Sequence, residues 1–390
     1  MLFTFIYLYK FNKKRTVKDF KELGIDADLN KGLREMNIIE PTTIQQRVIP
    51  ILLASNIEMV AQAQTGTGKT AAFGLPLLEK IDTKIQHIQG LILCPTRELA
   101  QQVAKQLFKF TKFTEKVFVE SVYGGERIEK QISNLQRPTH IVVATPGRLI
   151  DLLARKVIHL DHVKTIILDE ADEMLSMGFQ KELNQILTSL PQVKNKWLFS
   201  ATLPQGIEQI VAAHLSPKAV RISIDKADVV NKNIDHQYLV CDESEKLEAL
   251  LLFLKSQEGN RGVVFCKTKA ATKKLSKQLI AKNCSADAIH GDLLQKERDK
   301  VMRAFKNESL RILVATDVSA RGIDIADLAF VIHYQLPESL EYYTHRSGRT
   351  ARAGKKGISI CFVNNAEAKT LKDYERKLGI TFQKIKRNER

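Results

Sequence analysis

Ala63-Gln64-Thr65-Gly66-Thr67-Gly68-Lys69-Thr70 is the stretch that decides the fold. Before it, Ile57-Glu58-Met59-Val60-Ala61 is a short apolar run that reads as a strand. After it, Lys69 to Leu78 carries Ala71, Ala72, Phe73 and Leu75 and reads as the opening of a helix. Strand, glycine loop and helix N-terminus together make a phosphate cradle. Gly66 and Gly68 turn backbone N–H groups inward, Lys69 adds a point charge, and the Thr70 hydroxyl can ligate Mg²⁺. Thr65 and Thr67 complete the loop. The general pattern has glycine where Ala63 stands, and glycine-rich turns are also plain helix starts, so the surroundings decide whether a nucleotide binds.

Those surroundings are a chain of 390 residues, too long for one ordinary core and suited to two domains. Sixty Lys and Arg face 44 Asp and Glu, a net charge of +16. Such an excess favours a polyanionic partner such as nucleic acid, although a membrane surface or solubility alone would also account for it. Five scattered cysteines (Cys94, Cys241, Cys266, Cys284, Cys361) form no C-x-x-C pair. That argues against a zinc site and a disulfide framework, and fits a reducing cytoplasm. Met1 to Tyr9 is apolar and is followed by Lys10, Lys13, Lys14 and Arg15. The run is too short to span a bilayer, and its charges lie on the wrong side for a secretory signal. Residues 1–16 read as a loose extension.

From Val17 to Pro50 the pattern is helical with one loop, Phe20, Leu23, Leu29, Leu33 and Met36 recurring as core positions. Pro41 breaks the first helix, and Thr42 or Thr43 caps the next. Beyond the phosphate loop, apolar runs end in polar clusters. Leu91–Cys94 runs into Pro95-Thr96-Arg97-Glu98, Val117–Val122 into Gly124-Gly125, and Ile141–Ala144 into Thr145-Pro146-Gly147-Arg148. Thr165–Leu168 runs into Asp169-Glu170-Ala171-Asp172, and Lys196–Phe199 into Ser200-Ala201-Thr202. Apolar strands alternating with helices imply a parallel sheet covered on both faces, with ligands gathering beyond the strands' carboxyl ends. A polar stretch then reads as a linker over 218–232. The alternation resumes at Gly262–Cys266, Ala286–Ile289, Arg311–Ala315, Ala329–His333 and Ile358–Val363. The expectation is an α/β chain of two parallel sheets flanked by helices, a structural duplication. Its first domain spans 17–217, its second 233–368, and a charged helix and basic tail occupy 369–390.

Three groups carry chemistry. Gln45 offers a donor and an acceptor that match adenine, although a lone Gln in a first turn is more often simply solvated. Asp169 and Glu170 leave a strand side by side, suiting one to hold Mg²⁺ through water and the other to orient or deprotonate an attacking water. With the phosphate loop upstream, that pair indicates an NTPase. In His345-Arg346-Ser347-Gly348-Arg349-Thr350-Ala351-Arg352 three arginines spaced by three share one face if helical. They are either an exposed basic face, or Arg349 and Arg352 reach the γ-phosphate across an interdomain cleft.

The ordered set of segments from about Phe20 to Val363 resembles the DEAD-box ATP-dependent RNA helicases of superfamily 2. It comprises the Gln motif, A-x-T-G-x-G-K-T, P-T-R-E-L, the Gly pair, T-P-G-R, D-E-A-D and S-A-T. In the second half follow Val264-Phe265-Cys266-Lys267, His290-Gly291-Asp292 with Gln295 and Arg298, Ala315-Thr316-Asp317, Arg321-Gly322-Ile323-Asp324 and H-R-x-G-R-x-x-R. The resemblance implies two tandem RecA-like domains, ATP and Mg²⁺ as cofactors, and RNA as a partner gripped by its backbone. It implies that Phe20 stacks on adenine, Gln45 reads its edge, and Gly322 and Asp324 lie at the ribose. Lys69 and Thr70 would hold phosphates and metal, Asp169 the metal, Glu170 the water, and Arg349 and Arg352 the γ-phosphate. Pro95, Arg97, Gly125, Thr145, Gly147 and Arg148 would face RNA from one domain, with Arg298, Thr316 and Asp317 opposite. Ser200 and Thr202 would couple hydrolysis to strand separation through Asp172 and His345. A monomer in the cytoplasm, away from membranes, is expected.

Two positions depart from the family pattern. Asn37 stands in place of a glycine, which asparagine tolerates because it accepts left-handed backbone angles. Gln335 in His333-Tyr334-Gln335-Leu336-Pro337 stands in place of an aspartate, which puts any coupling role of that acid in doubt. Two alternatives stay open at this point: an RNA clamp that rarely turns over, and a DNA translocase sharing the same engine.

Overall fold

The computed structural model describes residues 19–64, 66–224, 233–320, 328–351 and 355–385. The first lobe is built on β1 (Glu58–Gln62), β2 (Gly90–Leu93), β3 (Val119–Val122), β4 (Ile141–Ala144), β5 (Thr165–Leu168), β6 (Asn195–Ser200) and β7 (Val220–Ser223). They lie in the order β3-β4-β2-β5-β6-β1-β7, all parallel. The second lobe has β8 (Ile234–Val240), β9 (Gly262–Phe265), β10 (Ala286–Ile289), β11 (Ile312–Ala315), β12 (Phe330–His333), β13 (Gly357–Val363) and β14 (Gln383–Lys384). Their order is β10-β11-β9-β12-β13-β8-β14, again all parallel. The second order repeats the first, strand for strand. The duplication expected from the sequence is therefore one of topology.

Each sheet is buried on both faces because side chains alternate along a strand. Met59, Ala61, Ile92, Val143 and Phe199 pack on one face of the first sheet, and Val60, Leu91, Leu93, Val142 and Leu198 on the other. In the second lobe Val264, Val314 and Ile332 face one cluster, and Val263, Leu313 and Val331 the other. Cys94, Cys266 and Cys361 are free and buried, as their apolar contexts imply.

The sequence misplaces the ends of both lobes. The expected linker over 218–232 begins too early, because β7 pairs in parallel with Met59–Gln62 and closes the first sheet. The expected charged tail from 369 is also wrong in part. The helix Glu367–Leu378 is followed by β14, which pairs with Gln237 and Tyr238 and belongs to the second sheet. At the other end, the region 17–50 holds a 3-10 turn, Phe20–Leu23, and two helices, Ala27–Glu35 and Thr43–Leu52. Asn37 adopts φ 57°, the left-handed geometry its replacement of glycine requires. Among the described residues, no helix is long and apolar enough to cross a membrane.

Candidate active site

The phosphate loop leaves β1 and enters the helix Lys69–Glu79 through Gly68, its N-cap. Gly66 and Gly68 have φ of 84° and 91°, so both turns need glycine. The helix Thr43–Leu52 clamps the loop from the side. The Gln45 Nε2 amide donates to the Gly68 carbonyl at 3.0 Å, and Gln45 Oε1 accepts from the Thr42 N–H at 2.8 Å. The Thr42 hydroxyl donates to the Thr67 carbonyl at 2.8 Å. Gln45 thus caps its own helix and pins the loop, both ends of its amide engaged and only 3% of it exposed. Reading adenine, as the resemblance implies, is not the contact it makes here. Phe20 is fully buried within the apolar cluster of the first lobe. Thr65 lies outside the described residues.

A Cβ added at Gly68 would lie 2.4 Å from Gln45 Nε2, at a backbone angle that L side chains rarely adopt. Gly68→Ala is therefore expected to dislodge the clamp and raise the KM for ATP about tenfold or more. Steady-state kinetics at fixed saturating RNA would check this.

Two buried groups around the loop lack partners. Lys69 is 6% exposed with no hydrogen bond to Nζ, and Asp169, at the end of β5, is 3% exposed with none to Oδ1. An ammonium and a carboxylate oxygen without hydrogen-bond partners fit a phosphate for the first and a divalent cation for the second. Thr70, half-buried in the first turn, can supply a hydroxyl to the same cation. Burial pushes the Asp169 carboxyl up to about 7; the Lys69 charge opposes this, while Glu170 and Asp172 add to it. The sign follows directly. This contribution to stability is present below the ordinary carboxylate pKa and is lost as pH rises through about 7. A cation needs the ionised carboxylate, so Mg²⁺–nucleotide affinity is expected to grow about tenfold per pH unit up to that point and then level off. Nucleotide titrations at about pH 6 and about pH 8 would test it.

Glu170 follows in the left-handed region, φ 52° and ψ 52°, capping the helix Ala171–Ser176. A non-glycine residue there carries about 1 kcal/mol or more of backbone strain, which fixes the direction of its side chain. Asp172 joins this helix to the end of β6. Its Oδ2 accepts from the Thr202 N–H at 2.8 Å and hydroxyl at 2.9 Å, and its N–H donates to Ser200 Oγ at 3.2 Å. The contact expected between Asp172 and the Ser-Ala-Thr segment is thus present. His345 meets a different acid: its Nδ1 lies 3.2 Å from Glu173 Oε1, across the two lobes.

The second lobe contributes the helix Leu340–Ser347, which stops before the arginine series is complete. Arg346 and Arg349 therefore do not share one helix face. Arg346 points inward, 2% exposed, with both nitrogens of its fork at 2.6 Å from the Asp317 carboxylate and its Nη1 at 2.9 Å from the Gln335 carbonyl. Asp317 is held by this pair and so anchors Arg346. Gln335 uses its side chain locally, accepting from the Lys267 N–H at 2.8 Å. Arg349 lies past the end of the helix. It lines a cleft together with Glu170 and Glu173 of the first lobe and Tyr342, His345 and Arg346 of the second. Arg352, Gly322 and Asp324 lie outside the described residues.

The expected RNA positions cluster beyond the carboxyl ends of β2, β3 and β4 and, in the second lobe, β11. Arg97 opens the helix Arg97–Phe110 just after buried Pro95, and stacks 4.8 Å over the Tyr123 ring. Gly125 has φ 81°, Thr145 caps the helix Pro146–Ala154, and Gly147 has open space around its α-carbon. Arg148 donates to Gln131 Oε1 at 2.9 Å and to the Glu126 carbonyl at 3.0 Å. Thr316 is buried and spends its hydroxyl on Ser319 at 2.9 Å. Two ion pairs cross the lobes here, Arg298–Glu98 at 2.9 Å and Arg97–Asp299 at 3.6 Å. Glu98 and Asp299 give no sequence signal of this role, since each is an ordinary surface acid until the lobes meet.

Family models match on both lobes: DEAD/DEAH box helicase over residues 42–210, and helicase conserved C-terminal domain over residues 244–354. The chain is 44% identical over 357 residues to the DEAD-box ATP-dependent RNA helicase CshA of Bacillus cereus, covering 92% of this chain and 67% of that relative. Dbp5 of S. cerevisiae bound to RNA and ADP BeF3 superposes with a TM-score of 0.86 at 32% identity, covering 95% of this chain and 96% of that one. A DEAD box protein from Methanococcus jannaschii, at 43% identity, covers 95% of this chain and 99% of that one with a TM-score of 0.56. On these matches and the paired parallel sheets that carry its motifs, the chain belongs to the DEAD/DEAH box helicase family.

Proposed function

We propose that this chain is an ATP-dependent RNA helicase, in which RNA-stimulated ATP hydrolysis closes the two lobes on RNA and opens short duplexes or remodels RNA–protein complexes. One observation carries the reading: Arg349 of the second lobe lines the same cleft as Glu170 of the first. Beside Glu170 sits Asp169, whose Oδ1, like Lys69 Nζ, has no partner. The superposition supports it too. The fit is better to the RNA- and ADP BeF3-bound Dbp5, at a TM-score of 0.86, than to the M. jannaschii protein, at 0.56, despite lower identity.

In this reading Lys69 and the N–H groups of Gly66 to Thr70 hold the phosphates, and Thr70 and Asp169 hold Mg²⁺, partly through water. The cation, when bound, neutralises charge on the β- and γ-phosphate oxygens. Glu170 orients the attacking water and takes its proton. Arg349 and Arg352 meet the charge that develops on the γ-phosphate, and Gly322 and Asp324 lie at the ribose. Arg97, Gly125, Thr145, Gly147, Arg148 and Arg298 grip RNA by its backbone, which leaves base sequence unread. A monomer acting in the cytoplasm fits the free cysteines. The test is phosphate release with RNA, with DNA of equal length and with neither. Repeated turnover stimulated by RNA alone supports the reading, a single slow round points to a clamp, and equal stimulation by DNA contradicts it.

A further inference from the structure

A buried amide that the catalytic scheme leaves unused sits beneath the RNA face of the first lobe. Gln131, on the helix Ile128–Leu135, is 4% exposed. Its Oε1 accepts from the Tyr123 N–H at 3.3 Å and from Arg148 Nη1 at 2.9 Å. Its Nε2 donates to the Tyr123 carbonyl at 3.0 Å. A glutamine head can pair with both backbone groups of one residue and still accept from a cation; no apolar side chain of that size can do either. Tyr123 in turn lies under the Arg97 guanidinium at 4.8 Å, and its hydroxyl accepts from Gln101 Nε2 at 2.6 Å. One amide therefore fixes Arg148 directly and Arg97 through the Tyr123 ring. It also fixes the backbone entering Gly124 and Gly125.

We propose that Gln131 is a positioning residue for RNA, setting the strength of the phosphate grip by holding Arg97 and Arg148 in one orientation. This rests on the RNA reading above and deepens it. Arg97 and Arg148 are only 14% and 11% exposed, so each presents a limited part of its guanidinium outward, and which part depends on what holds the rest. The phosphate cradle, Asp169, Glu170 and Arg349 make none of these contacts. The effect is therefore confined to RNA binding and leaves the chemistry intact.

The experiment compares wild type, Gln131→Met, Arg148→Gln and the double variant in RNA-stimulated ATPase titrations at several salt concentrations. Gln131→Met is expected to raise the RNA concentration for half-maximal stimulation about tenfold, and to lessen the salt dependence of RNA affinity as Arg148→Gln does. The KM for ATP and the rate at saturating RNA should stay within about twofold of wild type, and the loss added by Gln131→Met should be smaller in the Arg148→Gln background than in wild type, the remainder being its effect through Arg97. Should Gln131→Met fail to fold, Gln131→Asn carries the test: it stays polar but withdraws the amide by one methylene, and a smaller rise in the same direction is expected. Unchanged RNA half-saturation in a folded variant, or a fall in saturated rate alone, overturns the inference. So does full additivity with Arg148→Gln. A wild type indifferent to RNA overturns the RNA reading itself, and this inference with it.

Discussion

Arg349→Ala is expected to slow ATP turnover at saturating RNA by about 10³–10⁵, the range seen when an arginine serving a phosphoryl-transfer transition state is removed. Arg349 belongs to the second lobe, yet it lines the cleft that Glu170 reaches from the first. The groups proposed to hold ground-state phosphates, Lys69 and the loop from Gly66 to Thr70, are all in the first lobe. The loss should therefore fall on kcat, with ATP affinity changed far less. Arg349→Lys should recover little, because an ammonium keeps the charge but not the planar fork that matches phosphate oxygens. Single-turnover phosphate release paired with nucleotide binding separates the two effects. A variant that lost affinity but kept its rate would place Arg349 in ground-state binding alone.

Glu170→Gln should cut turnover by about 10²–10⁴ while leaving ATP and RNA binding close to wild type. The substitution preserves size and hydrogen-bonding shape, and the left-handed backbone at φ 52° is no less tolerable for glutamine. What it removes is a carboxylate able to accept the proton of the attacking water. Asp169 cannot stand in, since a neighbour buried to 3% exposure and suited to a cation is not free to move. Equilibrium binding of ATP and RNA, run beside phosphate release, makes the claim testable. Wild-type turnover in this variant would mean that another group takes the proton.

Much of this could be read from the chain because the relevant physics is local. The glycine turns at 66 and 68, the Thr42 cap, the left-handed Asn37 and the apolar runs of β1, β2, β4 and β5 each follow from a few adjacent residues. Strands carrying polar residues escaped: β7 reads Val-Arg-Ile-Ser, β8 contains Asp235, His236 and Gln237, and β14 is only two residues long. With no continuous apolar run, their pairing is decided by the sheet they join, and so the domain limits were misdrawn.

The same division runs through the site. Lys69, Asp169, Glu170 and Arg349 were singled out from motif and order, and of these Glu170 and Arg349 line one cleft between the lobes. The protein contacts of Gln45, Phe20 and Asp317, namely a clamp on Gly68, an apolar cluster and the Arg346 fork, could not be read from the motifs that singled those residues out. A side chain's type tells what it can bind, whereas its tertiary partners settle what remains available. The partners of Glu98, Asp299 and Gln131 could not be read from the chain for the converse reason, since those contacts exist only once distant segments meet.

The central claim is that each lobe supplies part of one catalytic constellation. The most direct measurement is the structure of the protein with RNA and ADP–beryllium fluoride, read for the distance between the Arg349 guanidinium and the fluoride group standing in for the γ-phosphate. Direct contact at about 2.7–3.2 Å is expected, with Glu170 facing the attacking water on the other side. Arg349 turned to solvent while the first lobe alone encloses the nucleotide would contradict it.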